Sequence, residues 1–198
     1  MNRKFARGGL LGIAVVLVST LVTASVAFGQ ATTVRWDIVS LNFTVSPPTL
    51  SAGGVAAARA DDGATITLTG SGTFVVFGAS DGLSSAVTGG GTWATSGSVG
   101  DTRGTYSVTE LVRWERSSGV VTFRDLIGDP AKASGGLAVL RIKYSDGSLG
   151  ILVVSCNLGG VTPSIFEGIT VSKSFVDFFD RVPPVPGVNA NRTLFHLQ

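Results

Sequence analysis

From residue 30 onward, apolar and polar positions alternate with period two along most of the chain, as half-buried strands require and helices do not. Val34-Arg35-Trp36-Asp37-Ile38 alternates apolar with charged residues, and Ala64-Thr65-Ile66-Thr67-Leu68-Thr69 alternates apolar residues with threonines. Thr73 to Phe77 is a short β-branched and aromatic run. Over Thr105 to Glu115 simple alternation puts Tyr106, Val108, Glu110, Val112 and Trp114 on one face. Ser107, Thr109, Leu111, Arg113 and Glu115 take the other. Ser118-Gly119 is then expected to turn the chain into a hairpin partner over Val120 to Ile127.

The strongest local signal lies between Leu137 and Asn157. Asp146-Gly147 is a type I′ turn dipeptide, because both central residues of that turn need positive φ. A two-residue loop there sets Tyr144 opposite Leu149, Ile142 opposite Ile151 and Leu140 opposite Val153, a uniformly apolar set expected in the core. The other face carries Val139, Arg141 and Lys143 and returns through Leu152, Val154 and Cys156, apolar far from the turn and polar beside it.

Further strands are expected over Phe166 to Phe178, bent or broken near Ser172 to Ser174, and over Thr193 to Leu197. Lys173 to Arg181 also admits a helical turn or two. Pro183-Pro184-Val185-Pro186-Gly187 reads as a rigid extended link. Gly/Ser clusters at 51–54, 78–91 and 96–104 read as loops. Eight to ten short strands joined by turns predict an all-β domain, an antiparallel up-and-down barrel. The alternative is a two-layer sandwich. Closure is favoured because it removes the open edges of a Gly-rich sheet.

Composition narrows the class. The chain has 198 residues with 27 Gly and 14% charged residues, which excludes a disordered polyelectrolyte and a coiled coil. One Cys excludes a disulfide scaffold. The net charge of +2 invites a nucleic-acid reading, but three bases, Arg3, Lys4 and Arg7, precede the uncharged run Leu10 to Phe28. Bases, apolar run and small residues describe a secretory signal peptide over residues 1–27, with cleavage expected after Ala27 or Gly29. An uncleaved signal anchor is the alternative. Removing residues 1–27 leaves 12 bases against 13 acids, so nucleic acid is not an expected partner. No second run of that length follows, so no helical span is expected in the mature single domain, 28–198.

Chemistry-bearing residues are sparse. Cys156, the single thiol, sits in an apolar strand where a buried Cys behaves as a small hydrophobe. His196, the single histidine, lies on a strand face with Leu194, and a lone His and Cys cannot build a His/Cys metal site. No catalytic residue, metal ligand or cofactor is expected. Glu110 either lies inside, where Arg113, Arg124 or Arg141 must pair with it, or occupies the wet middle of a solvent face. Glu110, Trp114, Arg141 and Cys156 are the residues singled out for a ligand site. Asn42-Phe43-Thr44 and Asn191-Arg192-Thr193 fit the glycosylation acceptor pattern.

Gly91-Thr92-Trp93 and Gly104-Thr105-Tyr106 resemble the strand starts of avidins and lipocalins, both eight-stranded ligand barrels, over these few residues. No Trp follows Trp114, where an avidin carries several, and a lipocalin's Gly-x-Trp lies near its mature N-terminus. Length and a secreted, Gly-rich strand habit are shared with allene oxide cyclase and dirigent barrels, without a common motif. The resemblance implies an architecture only. Three functions follow: a non-enzymatic structural or surface-interaction module; a binder of a small apolar or amphipathic ligand in the lumen, beside Val139, Val154 and Cys156; or a cofactor-free isomerase or cyclase. A filled lumen favours the first.

Overall fold

The structure, a computed structural model, describes residues 30–77, 80–159, 164–174, 177–185 and 189–198. The expected signal peptide and parts of the expected loop at 78–91 and link at 183–187 lie outside the described residues. Fourteen strands follow in chain order: β1 (Thr32–Asn42), β2 (Thr49–Ala52), β3 (Ala56–Arg59), β4 (Thr65–Leu68), β5 (Ser71–Val76), β6 (Ser80–Ser84), β7 (Val87–Ser96), β8 (Arg103–Ser117), β9 (Arg124–Asp125), β10 (Ala133–Tyr144), β11 (Leu149–Cys156), β12 (Gly168–Lys173), β13 (Asp177–Arg181) and β14 (Thr193–Leu197). Among the described residues the helical structure is one 3-10 turn at Pro130–Lys132.

Ten strands close into an antiparallel barrel and the others pair outside the ring. Some neighbours along the chain pair, as in β10–β11–β12–β13, whereas others skip a neighbour, since β4 and β5 both pair with β7 and β6 pairs with β8. Closure comes late: β14 pairs with β1 and with the start of β10, while β13 reaches β3. The one parallel ladder, β2 with β9, belongs to the outer strands.

Within β7 the backbone runs close to both its neighbours. Gly89, Gly90 and Gly91 read from sequence as loop, yet they pair with β5 and β8. A Cβ on Gly90 would lie 2.1 Å from the Tyr106 carbonyl oxygen, and one on Gly91 would lie 1.9 Å from that of Thr69. Only glycine lets the strands approach so closely. Gly91 is thus inside a strand, whereas Gly104 stands near the start of β8.

Two register shifts in β8 overturn simple alternation. Val108 faces Ile142, Glu110 faces Arg141, Leu111 faces Leu140 and Arg113 faces Val139, so Thr109 and Val112 are extra residues. Each bulge moves the phase by one residue. Tyr106, Val108, Leu111 and Trp114 therefore point inward, and Glu110 leaves the face it would otherwise share with Trp114.

The β10–β11 hairpin also departs from expectation by one residue. Lys143 faces Leu149, Arg141 faces Ile151 and Leu140 faces Leu152. The loop has three residues, Ser145, Asp146 and Gly147, with Gly147 at φ +89° and Tyr144 N donating to Ser148 O. Asp146 Oδ1 accepts from the Ser148 N–H and hydroxyl, which favours this longer turn over the two-residue one. Leu140, Ile142 and Tyr144 are core as expected, but their β11 companions are Leu152, Val154 and Cys156. Leu149, Ile151 and Val153 face outward with Arg141 and Lys143.

Two other expectations fail. Val120 to Ile127 contributes only β9 rather than a hairpin partner of β8, whose neighbours are β7, β6 and β10. Ser174 has φ +57° and Asp177–Arg181 is β13, so that part of the expected helical turn is strand.

The interior is filled. Phe74, Trp114 and Phe195 meet ring on ring, with Trp114 and Phe195 centroids 4.8 Å apart. Trp93, Tyr106 and Tyr144 form a second cluster, tied to backbone carbonyls through all three polar atoms. Such rings interdigitate at crystal-like density.

Candidate functional site beneath the outer sheet

The four residues singled out from sequence do not meet. Glu110 and Arg141 form an ion pair on the outer wall, Nε to Oε2 2.7 Å, with side chains 32% and 55% exposed. At that exposure a pair contributes under about 1 kcal/mol. Trp114 and Cys156 are fully buried inside the barrel. Burial, with the Glu167 charge adding, pushes the Cys156 thiol well up, so its sulfur is not a thiolate nucleophile.

The outward face of β1 behaves differently. Arg35, Asp37, Val39 and Leu41 alternate with inward Val34, Trp36 and Ile38, and Asp37, Val39 and Leu41 are nonetheless buried. They are covered because β1 runs past the barrel and folds back as β2, which pairs with β9. This small outer sheet, with Val121, Phe123 and Ile127, lies over β1 and over Leu194 and His196 of β14.

A polar cluster pins the layer. His196 Nε2 donates to Asp125 Oδ2 at 2.7 Å, the two side chains 3% and 0% exposed. Asp125 Oδ1 accepts from the N–H groups of Ile127 and Gly128. Arg35 joins Asp37 Oδ1 at 2.8 Å and donates to the Ile127 carbonyl at 3.0 Å. Burial raises the Asp37 pKa against the pull of Arg35. His196 Nδ1 has no hydrogen-bond partner, so no hydroxyl or thiol is placed for activation by it. The cluster spans β1, β9 and β14 and serves to hold the outer sheet down.

Beside it lies a cavity of ≈50 Å³ between the barrel wall and the cover. Its lining is mostly apolar, including Val39, Leu41, Leu50, Phe123, Leu158 and Leu194; Asn157, Glu167, Arg192 and Thr193 form its polar end. Glu167 accepts from Thr193 N and Asn157 N, each at 2.8 Å. Burial nevertheless pushes its carboxyl up to about 7, against those bonds and the Arg192 charge. Arg192 is placed by its neighbours: Asn189 Oδ1 accepts from Leu41 N, Asn191 Oδ1 from Ala57 N, and the Arg192 carbonyl from Val39 N. The Arg192 Nε is buried without a hydrogen-bond partner.

These groups escaped the sequence reading because they come from distant segments. One signal was available: Arg35 and Asp37 share a strand face with Val39 and Leu41, and a face half charged and half apolar implies a cover. The Asn191 acceptor pattern also changes meaning, since Asn191 is buried and its amide is engaged in the fold. Compared with protein-family models, curated proteins and solved structures, the chain matches none of them.

Proposed function

We propose that this protein is an exported, non-enzymatic surface-interaction module whose working surfaces lie outside the barrel. The observation that carries this reading is the filled interior: Trp36, Phe74, Trp114, Tyr144 and Phe195 are all under 2% exposed where a lumen ligand would sit. The potential catalytic groups are occupied, His196 by Asp125 and Cys156 by burial. Outside, hydroxyls of β4, β5, β7 and the intervening Thr69 form pairs, Thr65–Ser96 and Thr69–Thr92 at 2.7 Å and Thr73–Thr88 at 2.8 Å. Hydroxyls that satisfy one another leave methyl groups and few charges outward, a face that resists non-specific ionic contacts.

Two measurements test the reading. Retinol, too large for the outer cavity, is titrated against the mature chain while energy transfer from tryptophan is followed. No saturable transfer is expected, and stoichiometric transfer refutes the filled interior. N-terminal sequencing of exported protein should begin at Phe28 or Gln30; an intact Met1 in the membrane fraction removes the cleaved, exported form.

A further inference from the structure

The cavity beneath the outer sheet pairs an apolar wall with an incompletely satisfied cation. Water alone is a poor occupant over most of its lining, because Val39, Leu41, Leu50, Phe123, Leu158 and Leu194 offer it no hydrogen bonds. At the other end the buried Arg192 Nε–H has no acceptor, although its terminal nitrogen reaches the Val185 carbonyl at 3.3 Å. A buried donor left unpaired costs free energy, and a ligand acceptor placed there recovers it. Both Glu167 oxygens are committed to backbone N–H groups, so Glu167 is not free to turn and satisfy Arg192.

We propose that this cavity binds a short-chain aliphatic carboxylate, with the chain among Leu41, Leu50, Phe123 and Leu158 and the carboxylate on Arg192. The volume sets the length: the cavity has ≈50 Å³, where roughly 150 Å³ holds one benzene ring, so a carboxylate of about two or three carbons is the limit and longer acyl chains do not fit without lifting the cover. Charge sets the head group. When the Glu167 carboxyl is neutral, the polar end carries the unopposed Arg192 charge and attracts an anion. When Glu167 is ionised the pair is neutral and the attraction is lost. The other charged groups of the layer, Arg35, Asp37, Asp125 and His196, bond among themselves along the neighbouring stretch of β1 and β14. The inference does not rest on the filled interior and stands or falls separately from it.

The test is calorimetric titration of the mature chain with sodium propionate at pH 5.5 and pH 8. One saturable site is expected at pH 5.5, at least tenfold weaker at pH 8. Arg192→Gln should weaken binding at pH 5.5 at least tenfold, and Glu167→Gln should erase the pH difference. Leu158→Trp, which fills the cavity and leaves both polar groups, should abolish binding; Val121→Trp serves if that variant does not fold. Absence of saturable binding at pH 5.5, or binding indifferent to both Arg192→Gln and the cavity-filling variant, overturns the proposal. Retinol energy transfer without propionate binding would overturn both this inference and the proposed function. Propionate binding together with retinol transfer would remove only the latter.

Discussion

The one-residue register of the β10–β11 hairpin makes opposite predictions for two adjacent residues. Leu152 is fully buried opposite Leu140, whereas Ile151 is half-buried on the outer wall opposite Arg141. Leu152→Ala removes three carbons from the core, about 2.4 kcal/mol of transfer at about 0.8 kcal/mol per methylene. The cavity left behind adds to that, for a total of about 3–5 kcal/mol. Ile151→Ala removes as many carbons from a site already partly wet, and about 1 kcal/mol is expected. Lys143→Ala, exposed near the turn, should cost under about 0.5 kcal/mol. Urea unfolding followed by tryptophan emission ranks the three, with an unchanged denaturant slope showing that the comparison is valid. If Ile151→Ala costs more than Leu152→Ala, the hairpin is paired through a two-residue loop and the assigned β11 faces are inverted.

Three other outcomes follow from the layer and the turn. Gly147→Val should cost about 1–3 kcal/mol by denaturant melt; the cost is backbone strain at φ +89°, since no atom lies within 4 Å of the added Cβ, so an equal loss in Gly147→Asn would contradict it. Asp125→Ala strands buried His196 and two backbone N–H groups and should cost about 3–5 kcal/mol, with faster hydrogen exchange at Ile127 and Gly128; unchanged exchange rules out the pinning role. Because the Glu167 carboxyl is raised from about 4.5 to about 7, the folded state holds the proton more tightly than the unfolded chain. Its contribution is therefore fully present below pH about 4.5 and lost as pH rises through about 7, about 3 kcal/mol in all. Glu167→Gln should flatten that part of the stability profile, and an unaltered profile would show that another group causes it.

Strand positions were legible where a strand buries one face, and burial with a period of two is kept in Ala64–Thr69; in β1 and β14 the outer sheet buries the second face as well. Phase was less legible. Alternation alone cannot count bulges, so Glu110 was placed on the Trp114 face until the extra residues Thr109 and Val112 turned it out to Arg141. Asp146-Gly147 signals a turn but not its length, because the Asp146 side-chain bonds to Ser148 select the three-residue loop only once the strands meet. The glycines of β7 misled for the opposite reason: glycine marks loops and also close crossings, and only the neighbours Tyr106 and Thr69 distinguish the two. The outer site depends on β1, β2, β9 and β14 meeting across the fold. No local pattern announces that His196 will find Asp125.

The central claim is that side chains, not solvent or ligand, fill the barrel. Methyl NMR of the mature chain tests it most directly, with Leu140, Ile142, Leu152 and Val154 as interior reporters and Leu149 and Val153 as exterior ones. With saturating retinol, the account predicts that the four interior methyl signals stay in place. Saturable shifts confined to those interior methyls would contradict it and return the function to the lumen.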